Sequence, residues 1–464
     1  MQRSAMRPWV LAVAAAAAFL AGGPAPAASW YVSSGAGGGD GSSWAAAWGD
    51  LDQIDWGSVA PGDVVTIDGG AGGMTYAGPL EVGAAGAAEG RISIERSVEA
   101  GHDGPVTVRA SMMIDQPYIT IDGRDRDLFL IDDPGGGYIV RVPPNGDHFE
   151  FRNVTLSTTF QDMWGTPFYA NSLNVLVSGC SFVGTNNEDQ IKYNGGGGTL
   201  VIEDSSFTGL THNGDIHEDV VQFDADGISL VARRNVFISE GTDCFMIDTD
   251  APMGTLEFAY NIFSGVADAI KVQSAERIDV FNCVFDSCRD ILVNDPSPVT
   301  VRNSIFAGTG WSSGIVHIPG YDTTHCLWEP GTTEFEEGEG NLQADPLFVD
   351  RDNLDYHILA GSPAIDGGLD VGLDRDLDGN PIVGAPDIGA YEFYATPPDE
   401  GMEPTDPPPD AAEDPDVPET PADAAPDGEP DAAVDAPPAD TASDDAADEG
   451  AHEAGEGCGC VLAG

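Results

Sequence analysis

From about residue 150 one short theme returns seven times: "FRNVTLS" at Phe151, "VSGCSFVG" at Val177, "IEDSSFTG" at Ile202, "ARRNVFIS" at Ala232, "FAYNIFSG" at Phe258, "VFNCVFDS" at Val280 and "VRNSIFAG" at Val301. Its aligned bulky position is Leu156, Phe182, Phe207, Phe237, Phe263, Phe285 and Phe306, in steps of 26, 25, 30, 26, 22 and 21 residues. A period of that length signals stacked structural repeats. Within each unit, β-branched runs alternate with polar residues and are broken by Gly, Asn and Asp, so the local structure reads as strand and turn. Two or three short strands cannot bury their own apolar face and must stack on their neighbours, like on like. The prediction is an all-β parallel solenoid.

A second series runs through the same repeats: "EDQIKYN", "EDVVQFD", "TDCFMID", "ADAIKVQ" and "RDILVND", with leading aspartates Asp189, Asp219, Asp243, Asp268 and Asp290. Strand alternation sends Ile191 and Tyr193, Val221 and Phe223, Phe245 and Ile247, and Ile270 and Val272 inward. It leaves Lys192, Gln222, Met246, Lys271 and Val293 as an outward row. Lys192 and Lys271 are the only lysines of the 464-residue chain. They stand three steps apart, roughly 14 Å at the spacing of neighbouring strands. Such a row can serve a sugar site, or the lysines can neutralise an aspartate ladder whose members accept backbone hydrogen bonds at the strand-opening turns.

Charge excludes several classes of partner. The chain has 78 acidic residues against 18 basic ones, a formal net charge of -60, so neither nucleic acid nor an anionic membrane surface is expected to bind it. Cationic partners fit better, Ca2+ first. Arg3 and Arg7, the apolar run "VLAVAAAAAFLAGG" and Ala25-Pro26-Ala27 read as a signal peptide over residues 1–27,, so the mature chain is expected to be secreted. Seven scattered cysteines do not make a disulfide scaffold,. Cys283 and Cys288 could pair; the others are expected in the interior.

After Tyr394 the composition turns abruptly to Pro, Ala, Asp and Glu, with no lysine or arginine beyond Arg375. A segment of that kind buries no core and is expected to form an extended, disordered stalk carrying much of the net charge. The organisation expected is therefore residues 1–27 signal peptide, 28–343 solenoid with an N-terminal cap, 344–395 closing region, 396–456 stalk and 457–464 a Cys-Gly-Cys terminus.

The opening "WYVSSGAGGGDGSSWAAAWGDLDQI", the following "APGDVVTIDGG" and the repeats together resemble the right-handed parallel β-helix, or pectin-lyase-like, family. Residues 344–393 look like the C-terminal region of bacterial surface β-helix proteins with variable anchoring tails, and "GEGCGCVLAG" is similar to the cysteine element of some surface-sorting tails. The resemblance implies a right-handed parallel β-helix, export, and attachment through Cys458 or Cys460. It leaves activity open, because the fold hosts lyases, hydrolases, epimerases and non-catalytic adhesins.

Two functions stand side by side. One is binding and lyase-like cleavage of an extracellular, acidic polysaccharide; the other is a non-catalytic surface or adhesion protein using the solenoid as a rigid platform. In either case no oligomer is expected. In uronate lyases of this fold a cation neutralises the substrate carboxylate and a Lys or Arg takes the adjacent proton. The resemblance then makes Lys271 or Lys192 the base, with Arg233, Arg234 or Arg289 as acid or carboxylate clamp. His217, Asp219 and Gln222 form an "H-x-D-x-x-Q" pattern similar to one in β-helix proteins acting on polysaccharides, and Gln222, Met246 and Arg289 are substrate-binding candidates. The "WIDH" of pectate lyases and the paired aspartates with "GHG" and "RIK" of polygalacturonase-type hydrolases are absent.

Two Ca2+ sites are expected. Glu188 and Asp189 should stack beside Glu218 and Asp219, and four carboxylates so close call for a cation or raised pKa values. "DRDLDGN" sets Asp374, Asp376 and Asp378 at the alternate spacing that wraps oxygens around Ca2+. Its twelfth position is Ala385 rather than Glu, so a bidentate ligand would come from Asp387 or Glu392.

Overall fold

A computed structural model describes residues 27–395, apart from 133–136, 158–165, 185–188, 212–217, 248–250, 289, 294–296, 309–320, 333–334 and 336. The chain winds through three parallel sheets of 12, 9 and 12 strands. One coil shows the plan: Thr199–Glu203 lies in the first sheet, Ser206–Thr211 in the second and Asp219–Phe223 in the third, before the chain re-enters the first at Ser229–Arg233. Each strand pairs in parallel with its equivalents one coil before and after. This is a parallel β-helix, as the repeat predicts. No helix among the described residues is long and apolar enough to cross a membrane.

The bulky positions aligned in the sequence are register partners in the second sheet, from Leu156 through Phe306 and on to Trp328. From Phe182 to Trp328 consecutive ring centroids are 4.7 to 5.3 Å apart. Parallel strands force like onto like, so one aromatic per coil becomes a continuous stack. Burial of each ring contributes about 1.5–3 kcal/mol, and stacking adds about 0.5–1.5 kcal/mol.

A polar ladder turns the corner between the first and second sheets. The turn residue has positive φ in seven successive coils, at Gly179, Asp204, Arg234, Tyr260, Asn282, Asn303 and His325. The next residue points inward and is Cys180, Ser205, Asn235, Asn261, Cys283, Ser304 or Cys326, all buried. Its side chain receives a backbone N–H from the coil before: Ser205 N donates to Asn235 Oδ1 at 3.0 Å and Asn235 N to Asn261 Oδ1 at 2.9 Å. Asn235 Nδ2 in turn donates to the Ile202 carbonyl at 2.8 Å. The ladder supplies partners that a tight interior corner would otherwise deny to its backbone.

Cys180, Cys244, Cys283, Cys288 and Cys326 are all buried, and Cys283 and Cys288 are not joined in the pair considered above. Cys283 stands on the polar ladder, and its Sγ donates towards backbone carbonyls of Phe258 and Phe281. Cys458 and Cys460 lie outside the described residues, as do residues 1–26 and 396–464.

At the N-terminus, Ser29–Val32 is itself a strand, paired with Val64–Ile67. The buried Asp63 carboxylate gathers the Ala28 and Ala60 amides and the Trp30 indole N–H, and Trp30 stacks on Trp48 at 5.5 Å. At the other end, the closing region lies along the second sheet. The hairpin of Phe348–Asp350 and Asp355–Ile358, with Ala364, Ile388 and Ala390, forms a second core with Ile262, Val284, Ile305 and Leu327. Two polar ties hold it there. Arg351 is salt-bridged to Asp286 and Glu329, and the Tyr356 hydroxyl lies 2.7 Å from Asp286 and 2.9 Å from Ser264. Gly389 has φ +108°, and a Cβ there would meet Ile305 Cδ1 at 2.6 Å, so this crossing requires glycine,.

Candidate functional site

The third sheet carries the lysines. Its strands run from Leu80–Glu81 to Asp290–Val293, and their register aligns Glu81, Met113, Arg141, Tyr169, Lys192, Gln222, Met246, Lys271 and Leu292 in one row. The alternate positions Ile191, Tyr193, Val221, Phe223, Phe245, Ile247, Ile270 and Val272 are at most 1% exposed, so the row faces outward as the alternation predicts. The last rung differs from expectation. A register shift between Asp268 and Ile270 pairs Lys271 with Leu292 instead of Val293, because counting from the leading aspartate assumes an unbroken ladder,.

Both lysines reach carboxylates of an adjacent coil. Lys192 Nζ is 2.8 Å from Asp224 Oδ2 and 2.9 Å from Gln222 Oε1. Lys271 Nζ is 3.1 Å from Asp243 Oδ2 and 3.9 Å from Asp268 Oδ2. The aspartates also stitch coils together: Asp189 Oδ1 accepts the Asp219 amide and Asp243 Oδ1 the Asp268 amide, each at 3.1 Å. Asp189, Asp219 and Asp268 are at most 2% exposed. The ladder thus has a structural task in the backbone, across coils rather than within one turn.

Two rungs nearer the N-terminus extend the row beyond the aspartate series. Tyr169 packs against Tyr138 at a centroid distance of 4.6 Å, and the Arg141 guanidinium lies 5.8 Å from the Tyr138 ring. Asn194 Nδ2 donates to the Tyr169 hydroxyl at 3.3 Å. Tyr138 is 41% exposed. These strands lack a leading aspartate, which is why the aspartate alignment passes over them. The alternation of Val140 with Val142 and of Phe168 with Ala170 was the signal that could have found them.

Other candidates fall elsewhere. Arg233 belongs to the first sheet, paired in register with Glu203, and its guanidinium is 2.5 Å from Glu257. Arg234 occupies the following turn, bonded to Asp204. Neither shares the lysine sheet, contrary to the expectation that one of them could, because both close a first-sheet strand. Glu188, His217 and Arg289 lie outside the described residues. Asp189, Glu218 and Asp219 are all nearly fully buried.

The described residues contain no group of three or more His, Cys, Asp or Glu disposed to hold a metal ion. In the "DRDLDGN" turn the Asp376 oxygens face inward and accept the amides of Asn380 at 2.7 Å and Glu392 at 3.1 Å. Asp378 turns to His357, 2.9 Å from Nε2. The turn therefore closes on its own backbone in place of a cation cage. Burial raises the carboxyls of Asp376 and Asp387, and pushes Glu392 up to about 7. Of the 78 acidic residues only 21 follow residue 395, so the β-helix itself is strongly acidic, and the net charge is less a property of the tail than expected.

No family model and no curated protein matches this chain. Solved structures do. Pectate lyase Pel9A superimposes with a TM-score of 0.52 at 13% identity, over 80% of this chain and 97% of that one. A rhamnogalacturonan lyase gives a TM-score of 0.48 at 12% identity, over 69% and 90%. At 13% identity the likeness to Pel9A shows the parallel β-helix fold alone.

Proposed function

We propose that this chain is exported and binds an extracellular acidic polysaccharide along the outer face of the third sheet. One observation carries the reading: in a chain with three acidic residues or more for every basic one, both lysines and Arg141 stand in a single register row with Tyr169 and Gln222. Rungs recur roughly every 4.8 Å, close to the length of one pyranose unit, so successive sugars can meet successive rungs. Tyr138 and Tyr169 offer ring faces to sugar C–H groups, and Arg141 offers a planar fork that matches a uronate carboxylate. The likeness in fold to pectate lyase Pel9A supports the same class of ligand.

Cleavage would be a β-elimination. A base takes the proton from the carbon next to the uronate carboxylate, the electron pair forms the new C=C bond, and the glycosidic oxygen on the neighbouring carbon departs with a proton from an acid. Lys271 and Lys192 are the base candidates of the row. Each holds its ammonium against a carboxylate, which is the arrangement of a binding cation. That favours the second reading, a surface protein that binds without cleaving. Ca2+ enters either reading as a bridge between substrate and protein carboxylates, with no preformed group of three ligands among the described residues.

The test uses the mature full chain, with polygalacturonate, alginate and a neutral glucan, with and without Ca2+. Binding is followed by affinity electrophoresis and cleavage by the ultraviolet absorbance of the unsaturated uronate product. Retardation by an acidic polymer that is lost in Arg141→Ala supports the site. Absorbance lost in Lys271→Ala and kept in Lys192→Ala assigns a lyase and its base, while retardation without absorbance assigns a binding protein. No retardation by any acidic polymer overturns the proposal.

A further inference from the structure

A cavity of about 340 Å3 opens beside the closing hairpin, distant in sequence from the lysine row. Ile358, Phe393 and Tyr394 give it apolar and aromatic walls, and His357, Asp378 and Glu392 converge on it as polar groups. Its size falls in the range of small-molecule sites, and the combination of apolar wall and few polar groups is the usual one.

The polar groups are fixed. His357 stacks on Tyr391 at 3.8 Å, with Nδ1 2.6 Å from Asp355 and Nε2 2.9 Å from Asp378. Both ring nitrogens face carboxylates, so the ring is held as an imidazolium, consistent with a pKa raised to about 9, chiefly by the Asp378 hydrogen bond. Asp378 commits Oδ2 to the ring, and its Oδ1 has no hydrogen bond among the described residues. Glu392, 6% exposed, accepts the Val383 and Asp387 amides.

No Lys or Arg lines this cavity. Asp355 and Asp378 flank the one imidazolium and Glu392 adds a further carboxyl to the wall, so the cavity favours positive charge and disfavours a uronate. An ammonium against Asp378 Oδ1 gains a charge-assisted hydrogen bond, and the Tyr394 ring adds a face for a cation or a sugar.

We propose that this cavity is a second ligand site, for a small amine-bearing saccharide of monosaccharide size, separate from the row on the third sheet. Calorimetry on the full chain with glucosamine, N-acetylglucosamine and galacturonate tests it. Glucosamine should give saturable heat, weakened about tenfold or more in Asp378→Asn. Tyr394→Ala, which leaves all three carboxylates in place, should also weaken it. N-acetylglucosamine and galacturonate should give none. Asp378 is half exposed, so the Asn variant is expected to fold, which its circular dichroism checks. Absence of saturable heat with glucosamine, equal heat with galacturonate, or undiminished binding in both variants overturns the site.

Discussion

Lys271 Nζ lies 3.1 Å from Asp243 Oδ2, a carboxylate of the preceding coil, whereas Lys192 reaches in the opposite direction, 2.8 Å to Asp224 of the following coil. The two lysines occupy equivalent rungs and solve different problems. Lys271 offsets the charge of Asp243 and of Asp268, which is 2% exposed, while Lys192 holds a partner whose side chain is 36% exposed.

Stability should separate them. Lys271→Met leaves buried carboxylate charge without its cation and is expected to cost about 1–3 kcal/mol, less than a fully buried pair because the lysine is partly solvated. Lys192→Met should cost under about 1 kcal/mol. Urea unfolding of both variants measures this; equal midpoints would mean that Lys271 has no structural part.

The corner ladder predicts a larger effect. Asn235→Ala strips the acceptor from the Ser205 amide and the donor from the Ile202 carbonyl, both in the interior. Two orphaned backbone groups are expected to cost about 2–4 kcal/mol. Asn235→Ser, which can keep the acceptor as Ser205 does for Cys180, should recover part of it. If Ala and Ser unfold at the same urea concentration, the inter-coil hydrogen bond is not what the position supplies.

The aromatic stack was legible because a parallel solenoid repeats chemistry at one place per coil, and Phe182 to Phe306 announce it. The lysine row was legible through its aspartates, and for that reason stopped where they stop: Tyr169 and Arg141 belong to the same sheet without that marker. Val293 was misplaced by one residue because a bulge leaves no trace in composition. The course of the closing region was legible only in part. Ile262, Val284 and Ile305 are buried on the outer side of strands whose Phe already faces inward, and strands apolar on both faces signal a second covering layer.

The five described cysteines should be inert in the native protein. Burial raises every one of these thiols for which a shift is resolved, Cys180 and Cys283 to about 12, and the thiolate is the reactive form. A thiol-specific alkylating reagent at neutral pH, followed by peptide mass spectrometry, should leave Cys180, Cys244, Cys283, Cys288 and Cys326 unmodified until denaturant is added. Rapid native labelling of Cys283 would contradict its place inside the corner ladder.

The closing region should weaken as pH rises. Burial pushes Glu392 from 4.5 up to about 7, and the hydrogen bond that His357 donates to Asp378, with that to Asp355, takes the imidazole from 6.5 to about 9. A group whose folded pKa lies above its unfolded one contributes stability that is complete below the unfolded value and lost as pH climbs through the folded one. Glu392 therefore loses its contribution between about 4.5 and 7, and His357 between about 6.5 and 9. Both windows run the same way, and Asp376 and Asp387, also raised, steepen the acid side. Hydrogen exchange of the Val383 and Phe393 amides, which are bonded to Glu392 and Asp387, reports this once corrected for intrinsic rates. Their protection should fall with pH relative to the Asn235 amide in the solenoid corner. Glu392→Gln should flatten the lower window and leave the upper one, since His357 titrates against Asp355 and Asp378 alone. Protection that rises with pH would show that the amides donated to these carboxylates outweigh the cost of burying their charge.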